Sequence, residues 1–297
     1  MKPPFQRALA AALFSPPPGA RPVDFTAPAG ASALAAPDSV TWRVMKNPLT
    51  MFIGGVAAVI LELAEPRVRT GVWDFTQFKT DPMGRMRRTG YAAMVTAYAP
   101  AEAARAMIAG INRMHGAIEA RTPAGAHFRA DDPELLVWVA ATATFGFLEA
   151  YRAYGGPISA RDADRFYEEA RVAAALYGAD AAPASTRACE NLFSAMRPKL
   201  EPSPIVADFL AIVRAAPILP APLRPLQNLA ISAAIGVVPA WAQELLGLDA
   251  RLAPGANSLL RALGAAADRV VLEYAPPAQA CMRMGLAPAW LYRRARV

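Results

Sequence analysis

Residues 131–157 read DDPELLVWVAATATFGFLEAYRAYGGP, and this stretch indicates the class of fold. Asp132 precedes Pro133, which is typical of a helix N-cap followed by proline at the first helical position. The run Gly155-Gly156-Pro157 then stops a helix. Between these signals the apolar residues have helical spacing and form one wide face: Leu135, Trp138, Val139, Thr142, Phe145 and Leu148. The stretch therefore predicts a long core helix, in which threonine hydroxyls bond to the preceding turn.

Similar signals recur along the chain, and alternating strand patterns are scarce. Asp81-Pro82 and Ser203-Pro204 predict helix starts, and Ser159 to Asp162 is close to a capping box. The fold class is therefore predicted to be all-α, as a single globular multi-helix domain over 41–275. A Pro/Ala-rich N-terminal arm is expected over 1–40, and a basic C-terminal tail over 276–297. The predicted helices are 49–64, 83–98, 101–120, 132–153, 160–177, 186–196, 204–215, 222–235, 239–246 and 256–268.

The composition excludes several classes of protein. The 297 residues are 55% hydrophobic and 19% charged, against about 45–50% and 25% in an average soluble domain. Cys189 and Cys281 cannot form a disulfide framework or a structural zinc site. With only two histidines, the composition disfavours sites that need two or three imidazoles, while a Ser-His-Asp triad or a metal site with a single histidine stays open. The net charge of +7 is spread along the chain, so we expect no nucleic-acid partner.

The sequence predicts neither a convincing signal peptide nor a transmembrane helix. The apolar run Ala8 to Phe14 has seven residues, at the lower limit for a signal peptide, and prolines flank it. The most apolar stretch, MFIGGVAAVILELA (51–64), is shorter than the ~20 residues that span a bilayer. We interpret it as a core helix, in which Gly54-Gly55 permits close helix packing. We expect a cytoplasmic chain, either free or peripheral to a membrane.

The helix predicted over 101–120, AEAARAMIAGINRMHGAIEA, carries a histidine on its apolar stripe. Ile108, Ile111, His115 and Ile118 follow one another at helical spacing and share a face. One interpretation is a core histidine that bonds to a backbone carbonyl. The other is a metal or cofactor ligand, since a neutral imidazole is a common ligand of haem iron. The second histidine, His127, is predicted to lie solvated in a loop.

The helix predicted after Asp81-Pro82 begins with the arginines Arg85, Arg87 and Arg88. Cations in the first turns oppose the helix macrodipole, at a cost of roughly 0.3–1 kcal/mol each when exposed. This pattern indicates an anionic neighbour, such as a carboxylate, a phosphate or a haem propionate, or else a solvated face paired with local acids. Arg85 and Thr89 are four residues apart and share a face, with Arg88 beside them.

Five segments between about residues 50 and 175, taken in order, resemble a known family. They read IGGVAAVILELAEPRVRTGVWDF, DPMGRMRRTGYAAM, INRMHGAI, ADDPELLVWVAATATFGFLEAY and GGPISARDADRFYEE. The chain resembles the haem-dependent oxygenases that include latex-clearing protein, a rubber oxygenase, and the MpaB-like oxygenases, which cleave prenyl side chains.

This resemblance implies an all-α protein that binds one haem b non-covalently. The proximal iron ligand of the family is a histidine on the helix after the arginine-rich one, and that position matches His115. The R-x-x-basic-T element of the family, on the haem side, matches Arg85, Arg88 and Thr89. The resemblance thus implies that His115 holds the metal. It also implies that Arg85, Arg88 and Thr89 bind the cofactor, with Arg85 and Thr89 pairing with propionates or donating hydrogen bonds to dioxygen.

The sequence departs from the family at several positions. Many members carry further histidines where Glu65, Phe75 and Ala140 stand here. Some have lysine at the position of Arg88, but arginine stays protonated and has no free lone pair. The sixth coordination position of the iron is therefore expected to be open or filled by water. Glu65 is predicted to act as an acid or base, because a carboxylate at the end of an apolar helix has a perturbed pKa.

Two functional hypotheses follow. The first is a haem b-dependent oxygenase that uses dioxygen on an apolar substrate, isoprenoid or otherwise unsaturated, with Arg85, Thr89 and Glu65 as catalytic residues. The second is a non-catalytic helical protein that binds haem or lipid at a membrane surface. In that case the C-terminal WLYRRARV (290–297) would contact anionic lipids through its aromatic and basic residues.

Overall fold

The computed structural model describes residues 6–7, 10–11, 14–17 and 19–293. The described chain is mostly helical, with 64% helix and 2% strand, which confirms the helical class. The helices are α1 (Val40–Met45), α2 (Pro48–Glu62), α3 (Pro66–Phe75), α4 (Pro82–Tyr98), α5 (Ala101–Gly116), α6 (Pro133–Ala150), α7 (Ala160–Leu176), α8 (Thr186–Met196), α9 (Pro204–Ala215), α10 (Arg224–Val237), α11 (Ala240–Leu245), α12 (Ala256–Ala267), α13 (Pro276–Arg283) and α14 (Trp290–Arg293). The strands β1 (Glu119–Arg121) and β2 (His127–Arg129) form an antiparallel hairpin.

The helix starts lie where the sequence predicts them. The Asp81 carboxylate accepts a hydrogen bond from the Gly84 N–H at 2.8 Å, directly before α4. The side chains of Asp132, Ser159 and Ser203 likewise cap α6, α7 and α9. Within α6 the hydroxyl of Thr142 donates to the Trp138 carbonyl at 3.0 Å, as expected for a threonine inside a helix.

The closest packing in the fold joins α2 to α6. At their crossing Gly54 faces Gly146, and a Cβ atom on Gly54 would lie 2.7 Å from the Gly146 carbonyl oxygen. Only glycine permits this approach, so the prediction that Gly54 serves helix packing is confirmed. Gly55 differs, because a Cβ there would meet only the Phe147 ring at 3.9 Å.

The buried side chains form two principal cores. The large core gathers α2, α6, α8, α9 and α10 and includes the fully buried Trp138. The small core gathers α4, α13, the α1 residue Trp42 and the N-terminal residue Phe25. Phe147 packs against both cores. Helices α4 and α5 pack on each other, and within the described chain neither packs closely along α2 or α6.

The helix predicted over 101–120 is too long. Helix α5 ends at Gly116, and the chain then forms the hairpin, in which Glu119 pairs with Arg129 and Arg121 with His127. The turn between the strands uses Gly125, whose φ of +87° favours glycine. His127 is exposed as predicted, but it lies in β2 rather than in a loop, with its Nε2 atom 2.8 Å from the Glu119 carboxylate.

Four helices are absent from the predicted map, namely α1, α3, α13 and α14. They are short, so hydrophobic periodicity indicates them weakly. Residues 276–293, expected as a basic tail, form α13 and α14 and pack on the small core. Trp290 and Tyr292, the aromatic residues of the predicted membrane contact, pack against this core, and the Lys46 ammonium lies 5.0 Å from the Tyr292 ring centroid.

The described part of the predicted N-terminal arm lies against the small core. The backbone N–H of Val23 donates to the Tyr91 hydroxyl at 2.8 Å, and the Ala101 N–H donates to the Ser32 carbonyl at 2.8 Å. Parts of two sequence predictions lie outside the described residues: the apolar run Ala8 to Phe14 and the last arginines of the C-terminal segment.

One helical segment of the described chain, Pro133–Gly155, is long and apolar enough to cross a membrane, with a mean hydropathy of 1.2. Half of its most apolar window is buried inside the fold. Helices α2 and α3 pass the same test only as a pair bent by 113°. No clear transmembrane span is therefore found among the described residues.

Candidate functional site

Arg85 and Thr89 form a paired unit near the start of α4. The Arg85 Nη1 atom donates a hydrogen bond to the Thr89 hydroxyl, and this hydroxyl donates to the Arg85 carbonyl at 3.1 Å. The shared face that the four-residue spacing predicts is therefore present. Gly90 follows with open space where a Cβ atom would stand, so the helix surface beside this pair is uncovered by the described residues.

The Arg85 guanidinium has no carboxylate within 4.0 Å among the described residues. Burial lowers the pKa of Arg85, while the more distant Glu62 carboxylate opposes this shift and Arg88 adds to it. Arg85 is only partly exposed, and a partly buried cation without a close counter-ion loses hydration that no opposite charge replaces. No close carboxylate neutralises the charge of Arg85, and an anion bound here would lower the free-energy cost of its partial burial.

Arg88 contacts different residues from those that Arg85 contacts. Its Nη2 atom donates to the Gln77 side-chain oxygen at 3.3 Å, and its Nη1 atom lies 3.6 Å from the Asp81 carboxylate. Both side chains of the Arg88–Asp81 pair are substantially exposed. For Arg88 the anionic neighbour indicated by the sequence is thus the local carboxylate of Asp81.

His115 lies in the last turn of α5, and neither ring nitrogen has a hydrogen-bond partner in the described chain. The Nδ1 atom is buried without a partner, while Nε2 keeps accessible surface. The pKa of His115 is lowered, first by burial and then by the nearby charge of Arg85, with Asp131 opposing. The imidazole is therefore neutral at pH 7. The bond to a backbone carbonyl, expected of a core histidine, is not found among the described residues.

Glu62, in the last turn of α2, is a site residue that the sequence did not indicate. Burial raises its pKa from 4.5 to about 7, against the effect of Arg85. Yet the residue keeps part of its accessible surface. Arg85 acts electrostatically on both Glu62 and His115, so its guanidinium lies near each of these two side chains.

Glu65 is buried and stabilises the fold, whereas Glu62 keeps part of its surface accessible. Glu65 is 2% exposed and caps α3, where one carboxylate oxygen accepts from the Val68 N–H at 2.8 Å. The other oxygen accepts from the Arg67 Nε atom at 2.6 Å. Both Glu65 oxygens are thus bonded inside the protein, and the side chain is almost wholly shielded from solvent. Glu62, three residues earlier, is the carboxyl on which Arg85 acts electrostatically.

The donor set limits what metal this region can hold. No group of three or more His, Cys, Asp or Glu side chains suited to a metal ion occurs in the described part of the chain. Any metal bound at His115 must therefore bring most of its own ligands. A neutral imidazole with an accessible, unbonded Nε2 atom fits a metal held by a macrocycle, which needs one or two ligands from the protein.

We expect Glu62→Gln to change how the stability of the purified protein depends on pH. Because the folded-state pKa of about 7 lies above the ordinary 4.5, the folded state binds more protons between these values. Its stability therefore falls as the pH rises from about 4.5 to 7. The glutamine variant should be more stable at pH 8 by about 1–3 kcal/mol and should match wild type at pH 4.

Urea denaturation at pH 4, 6 and 8 measures this difference. The exposed Glu102, on α5, supplies the matched control Glu102→Gln, for which equal curves are expected. A Glu62→Gln curve parallel to wild type across the whole range would show that Glu62 has an ordinary pKa.

The fold and the site together define a mostly helical protein in which an imidazole without a hydrogen-bond partner lies near an arginine of α4. Residues 42–269, more than half of the chain, match the family described as ER-bound oxygenase mpaB/B'/Rubber oxygenase, catalytic domain. The chain belongs to this oxygenase family, which confirms the resemblance seen in the sequence. No curated protein and no solved structure gives a significant match.

Proposed function

We propose that this protein is a haem b-dependent oxygenase that acts with dioxygen on an apolar, unsaturated substrate of the isoprenoid type. The observation that carries the proposal is the neutral, unbonded imidazole of His115 beside an arginine that lacks a close counter-ion. Membership of an oxygenase family supports the same reading. When bound, the haem supplies the iron at which dioxygen is activated.

The residues present suit this cofactor. His115 would hold the iron through Nε2, because Nδ1 is turned into the protein. Arg85 would pair with a haem carboxylate, which would supply the counter-ion that its burial requires. Arg88, held by Gln77 and Asp81, would contribute positive charge at the edge of the site.

Glu62 and Thr89 are the groups able to handle a proton. With a pKa of about 7, the Glu62 carboxyl can both donate and accept a proton near neutral pH. The Thr89 hydroxyl is held by Arg85, so it is oriented, and its residue remains exposed. In this proposal Glu62 takes the acid/base role first considered for Glu65, and Thr89 orients dioxygen or substrate.

An apolar surface beside Glu62 supports the substrate class. Phe52, Gly55 and Val59 precede Glu62 on one face of α2, and each keeps part of its surface accessible within an otherwise buried helix. Such a row of carbon atoms suits a hydrocarbon chain and offers it no hydrogen-bonding partner. We propose a prenyl-type chain lying along this face.

Titration of the purified protein with haem b, followed by its visible spectrum, tests the proposal. We expect one haem per chain with a Soret band shifted from free haem, and dioxygen consumption when the ferrous protein receives a prenylated substrate. A protein that leaves the spectrum of free haem unchanged would refute the cofactor. A bound haem without dioxygen consumption, over a panel of prenyl and other unsaturated hydrocarbons, would favour a non-catalytic haem-binding protein.

A further inference from the structure

Asn112, on α5 one turn before His115, has an amide whose orientation is settled by a hydrogen bond. Its Nδ2 atom donates to the Leu176 carbonyl, at the end of α7, at 2.8 Å. Rotating the amide by 180° would place two oxygens against each other, so Oδ1 must point away from Leu176. This Oδ1 atom is buried and accepts no hydrogen bond from the described residues.

His115 presents the complementary atom. Its Nδ1 is also buried and unbonded, and a neutral imidazole carries one N–H that can donate. Residues three apart on a helix have Cβ atoms about 5–6 Å from each other. A buried acceptor and a buried potential donor thus lie on adjacent turns of α5, and although they are not bonded in the structure, a small side-chain rotation would join them.

Asp131 is the competing acceptor. Its carboxylate acts on the His115 pKa and lies 3.5 Å from where a Cβ atom on Gly116 would stand. However, both Asp131 oxygens accept from Arg129, at 2.9 and 3.0 Å, and the side chain is exposed. The other charge near the imidazole is Arg85, which cannot accept a hydrogen bond. Asn112 is therefore the favoured acceptor.

We propose that Asn112 is the positioning residue of His115. After a small rotation of either side chain, its Oδ1 accepts the Nδ1–H bond and thereby holds the imidazole in the tautomer whose lone pair is on Nε2, the accessible nitrogen. The inference about the tautomer concerns the haem-free protein. Its use, to orient the iron ligand and raise its basicity, rests on the proposed function.

The first test uses the haem-free protein and nitrogen-15 NMR of the imidazoles. The chain has two histidines, so the exposed His127 is an internal reference for the signals of His115. We expect His115 to carry its proton on Nδ1 in wild type. In Asn112→Leu the signals should move towards the Nε2–H tautomer, whereas Asp131→Asn, the matched control, should leave them as in wild type.

The second test uses the haem-loaded protein. Asn112→Leu should lower the iron–imidazole stretching frequency of the ferrous form and speed haem loss by about 10-fold or more, as for other partners of metal-ligating histidines. Asn112→Asp keeps an acceptor, now charged, and should raise that frequency above wild type and the pKa of His115 in the haem-free form. This variant keeps the test decisive if Asn112→Leu does not fold.

The outcomes separate this inference from the proposed function. If wild type binds no haem but Asn112→Leu changes the His115 tautomer, the proposed function fails and the positioning role stands. If haem is bound through His115 but neither Asn112 variant alters the tautomer, the His115 pKa or the stretching frequency, the positioning role is overturned. A change produced by Asp131→Asn instead would transfer the role to Asp131.

Discussion

His115→Ala should abolish specific haem binding and with it all oxygenase activity. Among the described residues, no second imidazole lies near Arg85, because the only other histidine, His127, is exposed on β2 and pairs with Glu119. We expect the dissociation constant for haem to rise by more than about 100-fold, beyond the 10–100-fold that loss of a supporting partner costs. The fold should persist, since the imidazole makes no hydrogen bond in the structure and would lose at most the single bond proposed to Asn112.

The experiment compares haem titrations of wild type, His115→Ala and the matched control His127→Ala. The control should bind haem like wild type. Adding free imidazole to His115→Ala should restore much of the Soret band, because the small molecule can occupy the space vacated by the side chain. A full Soret band in His115→Ala without imidazole would place the iron ligand elsewhere in the chain.

The parts of the fold that the sequence predicted depend on short-range chemistry. Helix caps such as Asp81 and Ser203 accept hydrogen bonds from backbone N–H groups two or three residues later in the chain. A few consecutive residues are therefore enough to predict them. The stripe that carries His115 is likewise a property of one helix. The prediction failed where an element is short or depends on residues distant in the sequence. The hairpin after Gly116 was missed because the helical spacing of apolar residues continues past the end of α5.

The same distinction between local and tertiary information separates the site residues that the sequence predicted from the one that it missed. Arg85 and Thr89 were predicted to share a face because both lie on one helix, four residues apart. Glu62 and Glu65 are both acidic residues at the end of one apolar helix, and the sequence favoured Glu65. What separates them is tertiary: Glu65 meets Arg67 and a helix N-terminus, whereas Glu62 is buried near Arg85, which has no closer acid. The sequence of the helix alone does not show this difference, because it depends on residues that pack against the helix in the folded protein.

Arg283 is the second residue whose replacement should have a large effect, in this case on stability. The sequence placed it in a basic tail, yet it is 2% exposed in α13. Its guanidinium donates to three backbone carbonyls, those of Ala31 at 2.8 Å, Phe25 at 2.7 Å and Tyr98 at 2.7 Å. One side chain thus joins the N-terminal segment, α4 and the C-terminal helices.

Arg283→Met should lower the free energy of unfolding by about 3–5 kcal/mol, because it leaves three buried carbonyl acceptors without their charged donor. The methionine fills similar volume, so little of the loss should come from a cavity. Exchange protection of backbone amides should fall first around residues 23–32, since this segment depends on Arg283 for its attachment.

Denaturant unfolding of Arg283→Met, with Arg269→Met as the matched control, measures the effect. Arg269 is exposed, and its replacement should change stability by no more than about 0.5 kcal/mol. Arg283→Lys should fall between wild type and methionine, since an ammonium keeps the charge but cannot span three carbonyls with planar geometry. Equal stability of the methionine variant and wild type would show that the carbonyls find other donors. In that case the C-terminal helices would be held mainly by their apolar contacts with the small core.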